Sequence, residues 1–170
     1  METKTKLKTH AKLGFSSMDT AEMVTSMNKL IANYHIFYQK LRNYHWNVTG
    51  PDFFDLHDKF EELYTTAVQD IDDIAERIRV FGAVPMSTLK EYLEIAEINE
   101  TNSRLTAMEM TREVLSDMET LVSFMVDVGD ASGSVGDAAT MDMMNNMIRT
   151  MEKEHWMLTS WMNEPKKQHE

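Results

Sequence analysis

The chain has 170 residues, 42% of them hydrophobic, and a formal net charge of −11. That length suits one domain with a real core, and six glycines with three prolines are too few turn-formers for an all-β fold. With no cysteine, disulfides, thiolate zinc sites and iron–sulfur clusters are excluded. No apolar run approaches the roughly 20 residues that cross a bilayer. The polar, basic N-terminus lacks the apolar stretch of a secretory signal. The expected location is the cytoplasm.

Residues 1–17 read as a flexible basic arm. Residues 1–12 set Lys4, Lys6, Lys8 and Lys12 against Glu2, a net of +3, which leaves −14 for the rest of the chain. An acidic body repels nucleic acid, so these four lysines are the candidate DNA contacts. Asp19 with Glu22 reads as a capping box opening a first helix that runs to about residue 47. Within it Met23, Met27, Leu30, Ile31, Tyr34, Phe37, Tyr38 and Leu41 recur at helical spacing. Val48 to Pro51 breaks the chain, and a second helix is expected over 52–81, ended by Gly82.

The connection from 82 to 105 is too long for a hairpin, and Thr88 with Glu91 predicts a short helix inside it. Thr106 with Glu109 opens a third helix to about residue 128. A small-residue turn is expected over 129–136 and a fourth helix over 137–163. The fold class is therefore all-α: a four-helix bundle over 18–165 with a short helix in the long crossover between the second and third helices, followed by a short tail, 166–170. Most of the 16 methionines fall at core spacing, where their flexible side chains fill gaps.

Five residues stand out: His45, His57, Glu61, Asp72 and Glu76. In the second helix His57 and Glu61 are four apart, as are Asp72 and Glu76, so each pair stacks on one face, all four within about 100° of arc. The two pairs are centred roughly 22 Å apart along the axis, too far for one metal. A second, antiparallel copy of the helix, with a twofold near residues 66 and 67, lays Glu76 over His57 and Asp72 over Glu61. Two imidazoles and three carboxylates suit Fe(II), Mn(II) or Zn(II), and the carboxylate-rich set favours redox iron. The bland alternative is a solvated helix face with ordinary i, i+4 contacts. Against it, Val68 and Ala75 share the flank, where small apolar residues call for a covering partner.

The ferritin-type intra-chain di-iron pattern needs two Glu-x-x-His pairs and two further glutamates. Here Glu152 with His155 is the only such pair, and His155 reads as a structural residue near Trp156. The intra-chain di-iron site therefore fails, which favours the inter-chain one.

The run HWNVTGPDFFDLHDKFEELY, residues 45–64, followed by DIDDIAERI, residues 70–78, resembles the Dps family, DNA-binding proteins of starved cells or mini-ferritins within the ferritin-like superfamily. The resemblance covers roughly 19–163. It implies a hollow dodecamer with a ferroxidase di-iron site, Fe(II)/Fe(III), at each twofold interface. One chain supplies His45, His57 and Glu61, and its partner supplies Asp72 and Glu76. Position 61 is often aspartate in the family, and glutamate reaches one methylene further. Trp46 would lie beside the site, as a radical sink or as an interface aromatic. The implied chemistry is oxidation of Fe(II), usually by hydrogen peroxide, with Fe(III) mineral stored in the shell. Asp137 and Asp142 match the pore-lining stretch and Asp130 is a further candidate; their alternative is a capping, solvated role at the start of the fourth helix. The competing function is DNA compaction through multivalent basic arms, in contact with the nucleoid. A third reading is a metal site that only stabilises a dimer.

Overall fold

The computed structural model describes residues 14–101 and 104–163. Its elements are α1 (Ser17–Asn47), α2 (Phe53–Val80), α3 (Leu89–Ile95), α4 (Ala107–Val135) and α5 (Ala138–Met162). α1 packs on α2, α4 packs on α5, α1 also meets α4, and α3 lies against α1. The buried faces follow the helical period. Met23, Met27, Leu30, Tyr34, Phe37, Leu41 and Tyr44 of α1 meet Leu56, Phe60, Ala67, Ile74 and Ile78 of α2 in the core. Met110, Met118, Met125, Met144, Met147 and Met151 fill the α4–α5 side.

The expected boxes at Thr88/Glu91 and Thr106/Glu109 cap α3 and α4. The first helix starts differently. Ser16 is its N-cap, accepting from the Asp19 N–H at 3.1 Å while Asp19 accepts from the Ser16 N–H at 2.8 Å. Asp19 is the third residue of the helix and closes the box from inside, so the Asp19/Glu22 expectation is corrected by three residues.

A larger correction concerns residues 129–136. α4 continues through Gly129 and Gly133 and ends at Gly136, whose φ of 72° is left-handed. A methyl at Gly129 would stand 3.5 Å from Met141 Sδ, and one at Gly133 3.0 Å from Met141 Cε. Gly133 lets α4 lie close over Met141, whereas a methyl at Gly129 would make only an ordinary contact; both are helix residues rather than a turn.

The crossover is pinned to α1 by side-chain amides. Asn28 Oδ1 accepts from Met86 N, buried Asn33 Oδ1 accepts from both Glu97 N and Ile98 N, and Asn43 Nδ2 donates to the Thr101 carbonyl, all at 2.9 Å. Positions 28, 33 and 43 thus meet 86, 97 and 101 in order. The connection runs alongside α1 in its own direction and delivers α4 to the end where α2 also begins. Among the described residues no helix is long and apolar enough to cross a membrane.

Candidate metal centre

His45 lies in the last turn of α1 and His57 in the second turn of α2. Five residues reverse the chain between the helices. Val48 is buried and its N–H caps Tyr44, and Gly50 adopts φ 118°, a conformation that strains any side chain. The reversal sets the two histidines face to face, ring centroids 3.8 Å apart and planes 21° from parallel. Each Nδ1 lies 2.8 Å from the other residue's backbone carbonyl. A carbonyl oxygen only accepts, so each Nδ1 carries its hydrogen, and the tautomer this leaves for metal binding has its lone pair on Nε2. Fixing the tautomer from the far side is how a protein prepares imidazoles for a metal.

Glu61, one turn after His57, completes the group. One ligand nitrogen of each histidine and one carboxylate oxygen lie within 4.8 Å of one another, and among the described residues this is the only such trio. Two lone-pair nitrogens and an exposed carboxylate fit a divalent first-row metal such as Fe(II). Phe53 stacks on the His57 ring at 5.0 Å, and Tyr64 meets the His45 ring edge-on at 5.4 Å. Tyr64 also donates its hydroxyl to Glu61 Oε1 at 3.1 Å. Its pKa is raised, by desolvation first, then by its hydrogen bond to Glu61 and by the Glu61 charge, which keeps it a donor.

A sequence model of the ferritin-like domain matches residues 24–167. The chain is 39% identical to general stress protein 20U of Bacillus subtilis over 141 residues, 83% of this chain and 97% of the relative. It is 42% identical to the DNA protection during starvation protein of Brevibacillus brevis over 136 residues, 80% and 91% of the two chains. The chain belongs to the Dps family. Among solved structures, the Dps protein of Vibrio cholerae O1 superposes with a TM-score of 0.86 at 35% identity, covering 88% of this chain and 94% of that one. That protein is described as a member of a broad superfamily of ferritin-like diiron-carboxylate proteins. The Dps of Staphylococcus aureus gives 0.81 at 36% identity, covering 84% and 96%.

The other two expected ligands, Asp72 and Glu76, are exposed on α2, three to four turns beyond Glu61, and form no cluster with the trio in one chain. Val68, between Glu61 and Asp72 on α2, is 48% exposed. Trp46, next to His45, is 58% exposed, and the Arg42 guanidinium lies over its ring at 4.7 Å and over Tyr38 at 5.3 Å.

Asp137 differs from its pore expectation. It is 3% exposed, caps α5 through the Thr140 N–H, and pairs with Arg77 at 2.7 Å. Burial pushes its carboxyl up, but hydrogen bonds from Thr140 and Arg77 outweigh this and hold its pKa below the ordinary value. It is a structural cap with its charge already matched. Asp130 and Asp142 are exposed. His155 also has another partner than expected: its Nε2 lies 3.2 Å from Glu119 on α4, while Trp156 is exposed. Lys4, Lys6, Lys8 and Lys12 fall outside the described residues, as does the expected tail.

Sequence reasoning missed the buried charges. Lys40 meets Asp117 at 2.7 Å and Glu113 at 3.5 Å, and Glu113 also accepts from Thr101 at 2.6 Å and from Tyr44. Tyr34, fully buried, donates to Asp70 at 2.8 Å on a groove of about 500 Å³ that extends to Glu61. Burial, against the bond from Tyr34, raises the Asp70 pKa to about 6. The legible signal was position: Lys40 and Asp117 occupy core-spaced sites beside Phe37, Leu41, Val114 and Met118.

Proposed function

We propose that this chain is an iron-detoxifying and iron-storing ferroxidase that works as a hollow dodecamer. The observation that carries the reading is the reciprocal His45–His57 pairing, which leaves two lone-pair nitrogens beside the Glu61 carboxylate. Asp72 and Glu76 of a second protomer complete the set, because roughly 22 Å of helix separates them from the trio in their own chain. Exposed Val68 on that flank supports a covering copy.

Iron is the substrate. The histidines hold Fe(II) through neutral nitrogen, and the carboxylates balance the charge of two ions. Two Fe(II) then give one electron each to one hydrogen peroxide, so no one-electron step releases hydroxyl radical. The Fe(III) hydrolyses with release of protons and collects as mineral in the shell. The protein's own contribution is fixed tautomers, fixed ring planes and a negative site that draws cations.

The test is an anaerobic Fe(II) titration followed by peroxide addition. Wild type should consume about one peroxide per two bound Fe(II), as two-electron reduction requires, and His57→Ala should abolish the bound fraction. Peroxide consumption unchanged in His57→Ala would overturn the assignment.

A second reading is DNA protection, supported by the net +3 of residues 1–12 and by the name of the Brevibacillus brevis relative. Twelve weak arms on one particle would bind through avidity. A salt-titrated gel shift with and without residues 1–12 checks it, and retention surviving the deletion would refute the arm as the contact.

A further inference from the structure

We propose that Tyr64 is a positioning residue for the metal centre, holding the Glu61 carboxylate against the two histidines; this rests on the ferroxidase reading above. Glu61 is exposed, and its side chain has one more rotatable bond than an aspartate. An untethered exposed glutamate samples many rotamers, and ordering it costs binding free energy. Tyr64 sits one turn further along α2 and donates to Glu61 Oε1 at 3.1 Å. That bond occupies one oxygen and leaves the other for a cation.

The tyrosine is itself braced. Its ring packs edge-on against His45 at 5.4 Å and against Tyr38 at 6.1 Å, and Tyr38 lies under the Arg42 guanidinium. One side chain therefore touches two of the three candidate ligands, one by a hydrogen bond and one by ring contact. A tyrosine ring with two torsions is a stiffer support than the glutamate it holds. Outer-shell donors of this kind are typically worth 10- to 100-fold in metal affinity.

The experiment measures equilibrium Co(II) binding to the full-length assembled protein by calorimetry and by the visible absorption of the bound ion. Tyr64→Phe keeps the ring against His45 and removes only the hydroxyl. It should weaken Co(II) binding by about 10-fold or more and shift the absorption of the bound ion. In a Glu61→Ala background the same substitution should change affinity less than about twofold, since the residue acts through Glu61. His57→Ala separates the two readings. If it leaves Co(II) binding intact, the metal centre itself is misassigned. If it removes binding while Tyr64→Phe stays within twofold of wild type, the centre stands and the positioning role is overturned. An equal loss from Tyr64→Phe with and without Glu61 would also overturn it, because the hydroxyl would then act elsewhere.

Discussion

His45 and His57 each donate Nδ1–H to the other's backbone carbonyl at 2.8 Å, so the end of α1 and the start of α2 fix one another. The pairing lies within one chain, whereas Asp72 and Glu76 lie turns away on α2. Mixing His57→Ala chains with Asp72→Ala chains should therefore restore metal binding. Each hybrid dimer keeps one site with both halves intact, so random mixing should recover about one site in four. Fe(II) binding by the mixture, compared with each variant alone, decides it; no recovery means the ligands do not come from two chains.

Asp137 and Asp142 should part company on substitution. Asp137→Asn removes the charge that Arg77 contacts in a buried cap and should cost about 2 kcal/mol of stability. Asp142→Asn, at an exposed site, should stay within about 0.5 kcal/mol. If α5 steers iron, Asp142→Asn should slow oxidation at low iron and low salt, with the difference fading as salt rises. Denaturant melts and initial rates check both; equal stability loss in the two variants would contradict the cap.

Asp117 sets a pH dependence. Burial, opposed by Lys40, raises its pKa to about 6 from an ordinary 3.8. Below about pH 6 the native group takes up a proton that the unfolded chain holds only below about pH 4. This residue's contribution to stability therefore rises as pH falls through that window. Asp117→Asn should flatten the trend, seen as a wild-type-minus-variant difference in Tm that changes between pH 6 and pH 4. Parallel curves would show that Asp117 does not titrate there.

Gly129→Ala should stabilise the fold. The new methyl meets Met141 Sδ at 3.5 Å, an ordinary contact, and alanine is about 1 kcal/mol better than glycine inside a helix. Gly133→Ala should gain less, because there the methyl comes within 3.0 Å of Met141 Cε, which must move. A loss of stability at position 129 would mean that α4 and α5 pack more tightly than this spacing allows.

Sequence by itself determined what depends on neighbours along the chain. The caps at Thr88 and Thr106 are written in three-residue spacing, and the apolar period of each helix names its buried face. The spacing of His57 with Glu61 and of Asp72 with Glu76 is equally local, so two candidate ligand pairs on one helix were legible before any fold. Tertiary structure decided what depends on elements distant in sequence. α4 runs through Gly129 and Gly133, with Met141 of α5 close against Gly133, and a lone glycine in a helical pattern does not distinguish a helix interior from a turn. Asp137 is a matched cap because Arg77, 60 residues earlier, reaches it. Lys40 is buried because α4 brings Asp117 and Glu113 to it. The His45–His57 tautomers depend on a reversal at Gly50 whose geometry no residue type specifies alone. Helix propensity and periodicity act over a few residues, whereas charge pairing and close packing act between surfaces that meet only after the chain has folded.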